Sequence, residues 1–401
     1  MDNKNTVHEL ELMQARIDFV PEGWSFSKIA DVFRVRNNLR KPISEEERSK
    51  NPGPYPYYGP TKIQDYIGSY CQDGAYALIG EDGDHFLKFR HQKMTQLVDG
   101  KCTVNNHAHI IEGTGIACRE WFYYYFMNRD IFSFLTRQGA GRFKLNKAAL
   151  EKIPLLIPPI DEQRKIATIL STWDEAITST ELLLAKSKQQ KKALMQQLLT
   201  GKKRLPGFDQ EWRELTLGQL FSERREVGST GLPLLSVTSE HGIINRNDVG
   251  RKDTSSADKS KYLKVCPGDI AYNTMRMWQG VSSLSSLEGI VSPAYTVLKP
   301  EYGMESRYAS YLFKLPKIIH LFYRHSQGLV SDTWNLKFKH FSRIKVFVPD
   351  PNEQKAIAAI LAKQDEAIHS LKRQIEQLRQ EKRALMQQLL TGKRRVLVVD
   401  A

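Results

Sequence analysis

Ala193–Lys202 reads ALMQQLLTGK, and Ala384–Lys393 repeats it letter for letter, 191 residues further along a chain of 401. Around these strings Asp161–Arg204 aligns with Asn352–Arg395 without a gap, and 24 of 44 positions are identical. A chain built as two half-copies has a pseudo-twofold axis and suits a partner that itself has two halves. Each string closes a helical pattern, because Gly201 and Gly392 stand where a helix ends in a left-handed residue and Lys/Arg clusters follow. The starts are equally marked. Pro158–Glu162 (PPIDE) and Pro349–Glu353 (PDPNE) place prolines before an expected Asx N-cap at Asp161 or Asn352, with an acid in the first turn.

Between these signals the second copy carries Ile357, Leu361, Ile368, Leu371, Ile375, Leu378, Leu385 and Leu389, in alternating steps of four and three interrupted at Gln364 and Lys382. The first copy keeps the register with Ile166, Leu170, Trp173, Ile177, Leu184, Leu194 and Leu198, but puts Thr180, Ser187 and Lys191 on seam positions. A period of 3.5 held this long is narrower than the stripe of an ordinary surface helix and predicts a coiled coil. A weak seam beside a strong one predicts that the two helices pack on each other. At ~1.5 Å per residue, some 40 residues make a rod of roughly 60 Å.

The segments between have another texture. Ala75–Ile79, His107–Ile111, Leu234–Val237 and Ala294–Leu298 are short alternating runs broken by Gly, Pro, Asn and Asp. They predict an α+β fold: two pseudo-symmetric domains, each with a small twisted sheet, joined by the two long helices. Arg119–Leu135 and Arg307–Tyr323 add an aromatic helical stretch to each domain. Trp24 and Phe33 match Trp212 and Phe221, while Leu145, Leu150 and Ile153 match Leu336, Phe341 and Ile344. The expected boundaries are 1–20 for an N-terminal segment, 21–158 and 206–349 for the two domains, 159–201 and 350–392 for the helices, and 393–401 for a tail.

Lys and Arg number 59 against 45 Asp and Glu, a net charge of +14, which favours a polyanionic partner. The N-terminus has no apolar core and no window approaches 18 apolar residues, so a signal peptide and a membrane span are not expected. Four cysteines without CxxC or Cys/His spacing read as reduced thiols, and the expected location is the cytoplasm.

At this level of detail the chain resembles the DNA-specificity (S) subunits of type I restriction–modification systems. The residues that carry the likeness are the helix entries Ile157–Ile166 and Val348–Ile357, the repeated ALMQQLLTGK, PYYGPTKIQDYIGSY with ALIGEDG over 56–83, and VNNHAHII over 104–111. In the second half they are GDIAYNTMRMWQG (268–280) and GIVSPAYTVLKP (289–300). The resemblance implies two target recognition domains, each followed by a helix, with the helices packed antiparallel as an intramolecular spacer. It implies that each domain reads one part of a split double-stranded DNA target, and that two methyltransferase (M) subunits and restriction/translocation (R) subunits join the complex. It also implies no catalysis and no cofactor in this chain, S-adenosylmethionine being expected in the methyltransferase subunits.

Catalytic motifs are missing. There is no Asn/Asp-Pro-Pro-aromatic string for adenine methylation and no GxxxxGK[ST]. Pro349, Asp350 and Glu353–Lys355 imitate a PD…ExK nuclease, but such a site needs neighbouring strands around Mg²⁺, whereas these residues open a helix. His107 and His109 alternate on a predicted strand without further ligands, so no metal site is expected. Two rival readings stay open: a methyltransferase fused to its recognition domain, and a coiled-coil adaptor that binds proteins.

Sequence-specific binding needs cations for phosphates and side chains that reach base edges. In the first domain Gly139–Lys144, with Arg142 and Lys144 flanked by Arg137 and Lys147, forms a glycine-bounded basic loop. Tyr57, Tyr58, Lys62, Asn105, Asn106 and His107 are its base-edge candidates. In the second, Arg324–Gly328 (with Ser326 and Gln327), Asp332, Trp334 and Lys337 form the loop, and Asn273, Arg276, Trp278, Gln279 and Ser292 are the base-edge candidates. The competing assignment for Tyr57, Tyr58 and Trp278 is structural packing. Glu81, Asp82 and Asp84 would repel phosphate, so their loop either accepts from cytosine amino groups or serves the fold. The run from Lys186 to Arg204, acid-free, faces DNA, an acidic partner or solvent.

Overall fold

The computed structural model describes residues 9–138, 142–228, 231–238, 242–249, 258–301, 303–330 and 333–397, with only the backbone of Gln138, Arg142 and Val249. The chain forms two compact units, one from the residues through Thr180 together with those from Gln374 onward, the other from Glu181–Arg373. Each long helix, Ile160–Leu198 and Pro351–Leu389, therefore contributes to both units.

The helix starts differ from the expected caps. Asp350, not Asn352, caps the second helix, its Oδ1 accepting from the amides of Asn352 (2.9 Å) and Glu353 (3.3 Å). Pro351 takes the first helical position, where its fixed φ is suitable and its missing N–H costs nothing. In the first copy Pro159 occupies the place of Asp350, so Asp161 lies inside the first turn and Gln163 N bonds Pro159 O at 3.0 Å. At the other ends Gly201 and Gly392 are left-handed, at φ +70° and +68°. Beyond them Lys203 N reaches back to Gln197 O and Arg394 N to Gln388 O, both at 3.1 Å, closing the last turns.

An arginine just past each helix end clamps the start of the other helix. In the first unit Arg395 donates from Nε and Nη2 to the two carboxylate oxygens of Glu162, at 2.8 and 2.9 Å, while Trp24 Nε1 donates to the same carboxylate at 3.0 Å. In the second unit Arg204 holds Glu353 at 2.8 and 2.7 Å, and Trp212 Nε1 donates at 3.2 Å. The neighbouring glutamines are matched as well. Gln163 Nε2 donates to Ile116 O and Pro158 O, both at 2.8 Å, and its Oε1 accepts from Cys118 N at 3.0 Å. Gln354 repeats the pattern with Gly303 O, Pro349 O and Glu305 N, all at 2.9 Å. A Glu-Gln pair at each helix entry thus satisfies a bidentate arginine and three backbone groups.

Further along, the two lysines that interrupt the seam prove to be paired. Lys382, 6% exposed, puts Nζ 2.6 Å from Asp174, which also accepts from Tyr124 OH at 3.1 Å. In the other unit Lys191 lies 2.6 Å from Asp365, which accepts from Tyr311 OH at 2.7 Å. In each unit the partner numbers fall along one helix as they rise along the other, so the helices are antiparallel. Every seam position named above is buried or half-buried. The ends of the seam merge with the domain cores: Ile166, Leu170 and Leu389 pack with Trp24, Trp121 and Tyr125, and Leu198, Ile357 and Leu361 pack with Leu217, Phe313 and Phe341.

Each unit is closed by a two-stranded antiparallel clasp, Ser25–Lys28 with Pro154–Ile157 and Arg213–Thr216 with Lys345–Val348. The first unit then builds a six-stranded sheet in the order Arg34–Val35, Ala108–Glu112, Gln72–Gly80, Thr95–Val104, Pro52–Tyr58 and Ile63–Ile67. The second has a four-stranded sheet, Phe221–Glu223, Tyr295–Pro300, Ile270–Asn273 and Ser282–Leu284, with further two-stranded pairs beside it. The aromatic stretches break where the backbone requires it. Helix Arg119–Phe126 ends before Asn128–Asp130, and Pro316, unable to donate, ends one helix near Leu312 and begins Pro316–His325. The tail meets both the N-terminal segment and the start of the first domain: Lys393 Nζ lies 3.7 Å from Asp18, Arg395 also donates to Glu22 O, and Gly392 at the helix end lies against Pro21.

Glu162 is 3% exposed, and removing its arginine would leave a buried charge uncompensated. Arg395→Ala should therefore lower unfolding stability by about 3 kcal/mol in urea titrations. Burial pushes the Glu162 carboxyl up, but the bonds from Arg395, Val396 and Trp24 outweigh it and hold it below its usual range. Its contribution is then present above the unfolded value near ~4.3 and lost as pH falls through the lower folded value. Glu162→Gln should lose that acid sensitivity.

Candidate nucleic-acid interface

In both units the same backbone latch joins the loop after a central strand to the segment that precedes a short helix, Lys147–Glu151 in the first unit and Phe338–Phe341 in the second. Leu145 N donates to Glu81 O at 2.7 Å in the first unit, and Leu336 N donates to Thr274 O at 2.9 Å in the second. The carbonyls of the same leucines accept from the sheet, Leu145 O from His109 Nε2 at 2.6 Å and Leu336 O from Tyr272 OH at 3.0 Å. Beside the latch lies a matched aromatic pair, Phe132 with Phe143 and Tyr323 with Trp334, each with centroids 5.0 Å apart.

In the first unit the latch is a polar network. Glu81, itself buried, pairs with Arg40 and, at 3.1 Å, with Lys144 Nζ. Burial alone would raise its carboxyl, but the two cations outweigh it and hold it below the usual range. Glu81 therefore serves the fold and is not free to meet a base. Arg40 also donates to Asn106 O at 3.0 Å, which fixes the 105–107 turn. Asn105 is buried, its Oδ1 accepting from His107 N at 2.8 Å and its Nδ2 donating to Gln64 Oε1 at 3.0 Å. Asn106 and His107 are exposed at the turn, with His107 Nδ1 2.9 Å from Asp82. His107 and His109 do not converge: His109 is buried, its Nδ1 accepting from Asn37 Nδ2 at 2.8 Å. That geometry requires the neutral ring protonated on Nε2, and burial pushes the imidazole down accordingly, over the opposing pull of Glu81. No cluster of three or more His, Cys, Asp or Glu able to hold a metal occurs among the described residues.

The other candidates of this unit divide sharply. Tyr57 is 2% exposed, its hydroxyl accepting from Ile43 N at 3.0 Å and its ring lying under Arg48, so it is a packing residue and no base reader. Tyr58 is half-buried against the sheet core. Lys62 and Arg137 are exposed, Arg137 lying over the Phe143 ring at 5.5 Å. Lys144 is held by Glu81. Residues 139–141 and the Arg142 side chain lie outside the described residues.

In the second unit the expected residues come together. The 273–279 turn is shaped by Asn273 Oδ1, which accepts from Met275 N at 3.0 Å, and by Trp278 Nε1, which donates to Met275 O at 3.0 Å. Trp278 meets Trp334 edge-on at 5.2 Å, and Gln327 and Asn335 exchange backbone bonds at 2.8 Å. Arg276, Gln279, Gln327 and Lys337 are exposed around this aromatic patch. Asn273, Trp278 and Ser326 are committed to local bonds, Ser326 Oγ donating to Phe322 O at 2.8 Å. Ser292 caps its own turn through Ala294 N at 3.4 Å. Asp332 lies outside the described residues.

The profile of the type I restriction modification DNA specificity domain matches residues 21–187 and 243–380. The chain belongs to that family. A specificity subunit of Methanocaldococcus jannaschii, MjaVIII, is 24% identical over 410 residues, covering 94% of each protein. A 179-residue stretch, 45% of this chain and 43% of the relative, is 35% identical to S.HindORF215P of Haemophilus influenzae. Among solved structures, the type I S subunit of M. genitalium aligns with a TM-score of 0.61 at 14% identity, over 93% of this chain and 97% of that one. A structure of a type I restriction–modification assembly aligns at 0.51 and 17%, over 94% and 100%. At these identities the likeness establishes the specificity-subunit fold.

Within that fold, sequence reasoning missed Asn37, Arg40, Phe132 and Tyr323. The last two were findable, because Phe132 and Phe143 become Tyr323 and Trp334 at the same 191-residue offset as the helix repeat. Nothing in the sequence ties Arg40 to Glu81.

His109 and His85 are both buried and neutral, and burial brings His85 down to about 4 against the pull of Asp82 and Asp84. The unfolded chain binds protons at these positions near pH ~6.5 and the folded one does not, so stability should fall as pH drops below that point. The combination His85→Phe and His109→Gln should flatten the slope between about pH 6.5 and 4.5 in urea titrations. An unchanged slope would assign it to other groups.

Proposed function

We propose that each unit reads one half of a bipartite duplex DNA target with unspecified bases between the halves, and that the chain places methyltransferase and restriction subunits there without catalysing anything itself. The observation that carries this reading is the shared latch with unlike surroundings: the same backbone frame presents a polar turn with Asn106 and His107 in one unit and an aromatic patch with Arg276 and Gln279 in the other. Two frames of one design with different exposed side chains are suited to two different base sequences. The net charge of +14 supplies phosphate affinity. Two methyltransferase subunits match the duplicated helix entries, and S-adenosylmethionine belongs to them in this reading. The long helices set the separation of the half-sites.

Methylation mapping tests this directly. In cells carrying the partner subunits, Gln279→Ala and Arg276→Ala should relax the bases of one half-site only, each by about 1–3 kcal/mol of discrimination. Arg137→Ala, at an exposed cation of the basic loop, should weaken binding to all sequences alike and reduce the salt slope by about 1. Relaxation in both half-sites, or an unchanged methylated sequence, would refute the assignment of one unit to one half.

A further inference from the structure

The first unit carries a groove of about 620 Å³ that the DNA reading leaves unused. Its floor is Tyr124, Tyr125, Met386 and Leu390, and its rim holds Arg16, Arg90, Arg129, Arg383 and His91. Asp130 is the single acid of the lining, and it is taken by Arg16 at 2.8 Å. Arg383 has a distant partner, Glu376 at 3.5 Å. Arg129 stacks on Tyr125 at 4.2 Å and donates to Ala15 O, and Arg90 lies beside Phe89, neither meeting a carboxylate among the described residues. The wall is braced, because Asn128 Nδ2 donates to Phe89 O at 2.5 Å.

Only half of this groove belongs to the repeat. Arg383, Met386 and Leu390 correspond to Lys192, Met195 and Leu199 at the 191-residue offset. The opposite wall, Phe89–His91, comes from the 81–94 connection between two strands, whereas the second unit spans the corresponding connection with 274–281.

From the apolar floor and the surplus of cations we infer that the groove docks an acidic segment of a partner protein, one that carries aliphatic or aromatic side chains between its carboxylates. A duplex would use the arginines but has nothing to place on a Tyr/Met/Leu floor, whereas such a peptide uses both. Because one wall is outside the repeat, the described residues of the second unit do not repeat the site.

The probe is a fluorescein-labelled twelve-residue peptide of repeating Glu-Glu-Leu-Phe, titrated into the full chain. Saturable binding with one peptide per chain is expected. Arg90→Glu and Arg383→Glu should each weaken it by about tenfold, while Lys192→Glu, the repeat equivalent, should leave it within about twofold. Unfolding curves check each variant, and Arg90→Glu decides alone if Arg383→Glu is unstable, since Arg90 is an exposed loop residue. Absence of saturable binding, equal loss in Lys192→Glu, or equally effective competition by a single-stranded oligonucleotide would overturn the proposal.

Discussion

The bidentate grip of an arginine on a buried glutamate at the opposite helix entry is the constraint that organises both units. A carboxylate at a helix N-terminus gains from the helix field, but one excluded from water is costly unless its lone pairs are filled. Glu162 and Glu353 are filled by an arginine fork and a tryptophan N–H apiece. The arginine comes from just past the end of the other helix copy. A single half-copy would therefore present a glutamate with no fork and a fork with no glutamate. Duplication supplies both, and the buried charge penalises any arrangement in which the ends fail to meet.

The paired lysines extend the same logic into the seam. A heptad pattern of leucine and isoleucine alone tolerates slippage by a whole heptad, because one apolar layer resembles the next. Lys382 with Asp174 and Lys191 with Asp365, each carboxylate shared with a tyrosine hydroxyl, fit one register only. Their contribution is to specificity more than to stability, since a well-packed apolar pair in the same place is commonly as stable.

How much of this the sequence disclosed depended on whether the information was periodic. The seam, the glycine ends and the Glu-Gln entries recur at fixed spacing, and each recurrence fixed an element. The cap at Asp350 was displaced because Pro351, which suits the first turn, outcompetes Asn352 as a boundary. The reading surfaces were harder, since burial is decided by contacts distant in sequence. Tyr57 and Lys62 look alike as polar loop residues, yet one lies under Arg48 and the other is exposed. Glu81 looked like a base reader or a fold residue until Arg40 and Lys144 settled the question.

The latch explains how the two surfaces differ while the frame does not. Its shared atoms are backbone, a leucine amide and carbonyl in each unit, which any sequence supplies. The side chains that complete it are unrelated: His109 donates to Leu145 O, and Tyr272 donates to Leu336 O. A frame held by main-chain groups imposes no chemistry on the neighbouring turns, so the 105–107 turn became polar and the 273–279 turn became aromatic without disturbing the helices. The helix entries work in the opposite way. There the bonds run through particular side chains, Glu, Gln, Arg and Trp, and substitution at any of them leaves a buried group unpaired. Sequence identity accordingly gathers where side chains hold the frame, and divergence gathers where the backbone does.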